Sequence, residues 1–171
     1  MKKFLYVLSI VLLLTFILFV IFRKQFDLLK ELDLLKIELR DVNENEFDFT
    51  DFYILEDALD SIIDNGGYED AKSIIDSLLN NGIKEEFKYS FYFRKGKILY
   101  LQSKYPEAIQ YFNSAINSTQ KLELESYFWR SFSLAKIGKC DEALEDYKFV
   151  NFHSLKYKDF EGELYEICDS L

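Results

Sequence analysis

A chain of 171 residues has room for one compact domain and an attachment segment. Its 49% apolar and 18% aromatic content excludes a disordered chain, and one Pro and six Gly are too few turn formers for a β protein. The net charge of −9 is uneven: the first 24 residues carry Lys2, Lys3, Arg23 and Lys24 and no acid, which leaves −13 on the remainder. So acidic a domain repels nucleic-acid backbones and suits a basic protein partner, or simply keeps itself soluble.

The first element is the run Phe4–Phe22, FLYVLSIVLLLTFILFVIF, which holds no charge. Nineteen helical residues span about 29 Å, close to the ~30 Å hydrocarbon core of a bilayer. The run is longer than a secretory signal core, no Ala precedes Ala58, and it ends in FVIFRK rather than in small residues. An uncleaved transmembrane anchor over residues 1–24 is therefore expected, with cleavage and release of a soluble protein as the alternative. Lys2 and Lys3 favour a cytoplasmic N-terminus, although Arg23 and Lys24 flank the far side. The acidic domain is then expected outside the cytoplasm. The MKK start and the Lys, Phe, Ile and Asn usage point to a bacterial inner membrane.

Residues 25–49 read as a stalk and linker. Leu28, Leu32, Leu35 and Leu39 are four, three and four apart on one helical face, with charges opposite. This seam either packs back on the soluble domain or forms a short coiled coil that makes a homodimer. From Asp41 to Phe49 the period breaks.

Residues 50–151 contain three segments that align with one another. YFRKGKILYLQSKYPEAIQYFNSAI (Tyr92–Ile116) is followed by YFWRSFSLAKIGKCDEALEDYKFV (Tyr127–Val150), and each reads as helix, turn, helix. Ala108, Phe112 and Ala115 of one second helix match Ala143, Tyr147 and Val150 of the next and Ala71, Ile75 and Leu78 of the preceding one. The leading Ala residues are 37 and 35 apart, near a 34-residue helix–turn–helix period. In this pattern the chain resembles the tetratricopeptide repeat (TPR) family. The family places an aromatic in the first helix, a small residue four later and an Ala twelve beyond. Tyr92, Gly96 and Ala108 supply these, as do Tyr127, Ser131 and Ala143. Tyr68 and Tyr105 match the Tyr before the second helix, and Pro106 suits a helix start. The chain departs from the family at Leu55 and Leu59 in the first copy, at Lys95 and Arg130 where apolar residues are usual, and at Cys140 in place of Tyr.

The resemblance implies an all-α fold: an N-terminal transmembrane helix, then an α-solenoid of about three TPR-like hairpins with a C-terminal capping helix. The cap is expected over residues 152–171, with Phe160, Leu164, Ile167 and Leu171 on one face, because an open array exposes an apolar end. Gly162 is the weak point of that helix. Cys140 and Cys168 are either buried free thiols or one disulfide in an oxidising compartment.

No pattern of enzymatic chemistry is present. His153 has no matching nucleophile, and there is no phosphate loop, H-E-x-x-H or C-x-x-C. No cofactor, metal or catalytic residue is expected. The acidic pairs Glu69–Asp70 and Asp141–Glu142 sit at helix starts, where the dipole accounts for them. By the resemblance, a concave partner-binding face would be made by Tyr53, Glu56, Asp60, Phe93, Lys97, Tyr100, Phe128 and Phe132, unless the rings pack under neighbouring helices. The family's clamp for a C-terminal carboxylate is not reproduced, since Phe93 and Glu56 stand among its positions. The expected function is that of a membrane-anchored scaffold or adaptor, with a stalk-dimerised structural protein of the envelope as the alternative.

Overall fold

The computed structural model describes residues 49–80, 83–118 and 123–170, and no strand occurs among them. Seven α-helices follow one another: α1 (Phe49–Asp64), α2 (Tyr68–Asn80), α3 (Glu85–Leu101), α4 (Tyr105–Asn117), α5 (Leu124–Lys136), α6 (Cys140–His153) and α7 (Glu161–Asp169). A 3₁₀ helix, Leu155–Phe160, precedes the last. The protein is all-α over these residues, as expected, and its order is compatible with a helical solenoid. The expected anchor at Phe4–Phe22 and the leucine seam at Leu28–Leu39 lie outside the described residues. Among those described, no helix is long and apolar enough to cross a membrane.

Three short connections, α1–α2, α3–α4 and α5–α6, are built alike. Gly66, Ser103 and Gly138 each stand two residues before the following helix, with φ of 83°, 60° and 79°. Left-handed backbone at that point turns two amides back onto the helix end and satisfies its last carbonyls. Gly66 donates to Ile63 and Gly67 to Ile62, Ser103 to Tyr100 and Lys104 to Leu99, and Gly138 to Ala135 and Lys139 to Leu134, all at 2.9–3.0 Å. The residue after each turn then accepts from the leading Ala of the next helix: Gly67 from Ala71, Lys104 from Ala108 and Lys139 from Ala143, each at 3.0 Å. One backbone motif thus recurs three times at the spacing of the sequence repeat. Ser103 makes it without glycine and is the only non-glycine residue with positive φ among those described.

Consecutive helices pack on one another, and α1, α3 and α5 also touch in series. The crossing of α3 on α4 is the tightest. A Cβ at Gly96 would stand 2.6 Å from the Phe112 ring, which is itself fully buried. Ala108, Ala115 and Phe93 fill the same core. The equivalent residue of the next hairpin, Ser131, is also fully buried against helix α6, and its hydroxyl donates to the Phe128 carbonyl at 2.7 Å, so no polar atom is left unsatisfied there. In the first hairpin the same place is taken by Leu59, opposite Ala71, both fully buried.

Lys95 and Arg130, out of place in an apolar stripe, are explained by their partners. Lys95 pairs with Asp76 of the preceding second helix and lies 4.6 Å from the centre of the Tyr111 ring. Arg130 donates to Asn113 of the preceding second helix at 2.6 Å and donates one hydrogen bond to each Asp146 carboxylate oxygen, at 2.6 and 2.7 Å. Asp76 and Asn113 both stand five residues after the leading Ala, and Tyr111 and Asp146 both stand three after it. Each cation therefore ties its own hairpin to the one before, with the long stem buried and the head paired.

The C-terminal segment packs on the last hairpin. The expected cap begins as the 3₁₀ turn, whose Tyr157 and Lys158 carbonyls both accept from the buried Tyr147 hydroxyl, at 2.5 and 3.2 Å. Leu164 of α7 is fully buried, whereas Phe160 remains 41% exposed. Cys140 at the start of α6 is disulfide-bonded to Cys168 near the end of α7, across a separation of 28 residues. This decides the alternative left open by the sequence.

Two predictions follow from the packing. The same substitution should have opposite signs at two glycines. Gly96→Ala should lose roughly 1–3 kcal/mol, because the new methyl forces the Phe112 ring aside. Gly162→Ala, where a Cβ meets nothing within 4 Å, should gain about 0.5–1 kcal/mol from helix propensity. Urea denaturation of both variants checks this. Breaking the bridge with Cys168→Ser should lower stability by about 2–4 kcal/mol, as expected for releasing a loop of that length, and adding reductant to the wild type should reproduce the loss.

Candidate functional site

A groove of about 510 Å³ opens between α1, α3, α5 and the 3₁₀ turn. Its floor is the inner face of α3. Tyr89, Ser90, Phe93, Arg94 and Lys97 recur there at three- and four-residue spacing, so one helical face delivers all of them. Glu56 and Asp60 form one wall from α1, one turn apart. The opposite wall is Glu125, Phe128 and Trp129 of α5, with Glu123 just before that helix, and Lys156, Tyr157 and Phe160 close the end.

Arg94 organises the floor. Its guanidinium donates to both Asp60 oxygens at 3.1 and 2.6 Å and to Glu56 at 2.6 Å. Ser90 bridges Arg94 and Glu56 through its hydroxyl. The Arg94 side chain is only 7% exposed, and two carboxylates on a neighbouring helix compensate its desolvation. This pairing clamps α1 to α3. At the other end Lys156 reaches Glu125 at 2.6 Å, and that hydrogen bond raises the Lys156 ammonium above its ordinary value. The Tyr157 ring lies 4.7 Å from Phe128.

Glu123 is different. Among the described residues its carboxylate has no hydrogen bond and no ion pair. Burial, then the neighbouring Glu125 and Glu56 charges, push its pKa up to about 7, with only partial relief from Arg94. The groove thus carries one acid that no cation of the described residues neutralises.

Of the residues expected on a concave face, Glu56, Asp60, Phe93, Lys97 and Phe128 come together in this groove. Phe93 and Phe128 do so as buried rings that present little surface, and Lys97 lies 3.6 Å from Asp64. Three stand elsewhere. Tyr53 is 61% exposed on α1 outside the groove, Tyr100 lies against Tyr105 and Trp129, and Phe132 is buried behind Phe128. The rings at 93, 128 and 132 are needed by the core, which is why they cannot stand free in a hollow. Arg94, Glu123, Trp129, Lys156 and Tyr157 carried no expectation from the sequence, and Phe160 was expected only on the apolar face of the cap. A signal for Arg94 did exist: Ser90 and Arg94, one turn apart, follow Glu56 and Asp60 by 34 residues each.

His153 is exposed, its Nδ1 2.8 Å from the Phe149 carbonyl oxygen and away from the groove. Among the described residues no cluster of His, Cys, Asp or Glu could hold a metal ion. No protein-family model matches the chain, and no curated protein matches it.

The raised pKa of Glu123 carries a pH signature. The group is protonated in both folded and unfolded states below about 4.5 and ionised in both above about 7. Between these values the folded state holds the extra proton, so rising pH removes stability. Glu123→Gln should flatten this part of the stability curve and be more stable than the wild type at pH 8 but not at pH 4.5, as read by chemical denaturation at the two values.

Proposed function

We propose that the chain is a membrane-tethered scaffold of tetratricopeptide type, which takes up a segment of a partner protein in the groove between α1, α3 and α5. The threefold turn is the observation that carries this reading. Identical helix ends at the repeat spacing direct successive first helices to one side, and stacked hairpins of that kind leave a hollow along those helices. The spacing of Tyr92, Gly96 and Ala108 and of Tyr127, Ser131 and Ala143 supports the family. The apolar run Phe4–Phe22 supports a single-pass anchor in a bacterial inner membrane.

The Cys140–Cys168 bridge supports an extracytoplasmic position for the domain, since such bonds persist in oxidising compartments. Bulk acidity favours a protein partner with basic surface over nucleic acid. The one hydroxyl that meets a carboxylate here, Ser90 on Glu56, is buried and held with its partner by Arg94, so binding rather than catalysis is the role the groove suits.

The reading is tested by photo-crosslinking in the native membrane, with a photoreactive side chain placed either at Tyr89 in the groove or at Gln110, an exposed residue of α4 outside it. A discrete protein adduct from position 89 and none from 110 is expected. Equal labelling from both, or none from 89, would remove the groove as a partner site. An adduct between two copies of this chain would favour a self-associating structural protein instead.

A further inference from the structure

Among the described residues the charges that line the groove do not balance: Glu56, Asp60, Glu123 and Glu125 face Arg94, Lys97 and Lys156. Arg94 is committed to Asp60 and Glu56, and Lys156 to Glu125. Lys97 has Asp64 as its nearest acid, at 3.6 Å. Glu123 is the carboxylate left over, half-buried beside the hollow, with no ion-pair partner among the described residues. Burying an ionisable acid without a cation is costly, and a ligand that supplies the cation recovers that cost. The surroundings suit a long basic side chain better than a bare ion. Tyr89, Trp129 and Phe160 also line the hollow, and aromatic faces accommodate both the methylene stem and the charged head of such a residue. No three-ligand metal cluster accompanies the acid among the described residues.

Resting on the groove being a binding site for a protein segment, we propose that its occupant is a polypeptide carrying an arginine or lysine side chain that pairs with Glu123 between these aromatic walls. Charge complementarity at both scales agrees: a carboxylate in the hollow that no cation of the described residues pairs with, and −13 on the chain beyond residue 24. The paired acids Glu56, Asp60 and Glu125 hold the helices together, while Glu123 selects the ligand.

Trp129 is the only tryptophan of the chain and lines the groove, so its fluorescence reports occupancy directly. The full-length protein in mild detergent would be titrated with acetylated, amidated heptapeptide mixtures, each fixed at the central residue as Lys, Arg, Leu or Glu and randomised elsewhere. Lys- and Arg-centred mixtures should bind about tenfold more tightly than Leu-centred ones, the size of a charge-assisted hydrogen bond. Glu123→Gln should abolish that preference, and Glu123→Asp should retain part of it at unchanged helical circular dichroism. Tightest binding by Leu- or Glu-centred mixtures, or a preference unchanged in Glu123→Gln, would overturn the inference while leaving the groove a peptide site. If no mixture altered Trp129 fluorescence, the inference and the proposed function would fall together. Should Glu123→Gln fail to fold, the wild-type ranking of the four mixtures decides by itself.

Discussion

The closeness of α3 to α4 governs much else in this domain. Gly96 has no side chain, and the Phe112 ring occupies the space that one would fill, at 2.6 Å from an ideal Cβ. Two helices that meet at such a distance can lock only in one register, because the ring is buried on every side. That register orients Ser90, Arg94 and Lys97 of α3 toward α1 and α5, where the groove lies. The floor of the hollow is therefore set by a contact on the other face of the same helix. Ser131 performs the equivalent task for α5 and α6 with a hydroxyl that is satisfied within its own helix, so the small-residue requirement survives a change of residue type.

Polar ties carry the repeats from one to the next. Lys95 and Arg130 reach the same position of the preceding second helix and the same position of their own, although the partners differ: Asp76 and the Tyr111 face for one, Asn113 and Asp146 for the other. Such pairs add geometric definition more than net stability, since the Coulombic gain is offset by desolvation. Arg94 applies the same logic on the groove side with two carboxylates and a serine. The hollow is thus bounded by side chains already fixed by their neighbours, a condition for recognising a ligand without paying to order the site.

The cap contributes to the same site. Tyr147 holds the 3₁₀ turn by its carbonyls, and this brings Tyr157, Phe160 and Lys156 against Phe128 and Glu125. An element expected only to shield an apolar end therefore also forms the end wall of the groove. The Cys140–Cys168 bond ties α7 to the start of α6, beside this arrangement.

Local chemistry explains why much of the fold was legible in the residues. Apolar spacing marks helices, and left-handed turns favour residues such as Gly66 and Gly138. A close crossing requires Gly, Ala or Ser at fixed intervals, and that demand is visible at Gly96, Ala108, Ser131 and Ala143. Ser103 was less legible, because serine does not advertise positive φ. The groove was legible only in outline: the first helices that line it could be identified, but a buried Phe93 and a half-buried Tyr89 look alike in a linear string. Whether Arg94 meets Asp60 and whether Cys140 meets Cys168 depend on groups 34 and 28 residues apart in the chain. Periodicity says which side of a helix a residue occupies. What stands opposite it is settled by the packing of the whole array.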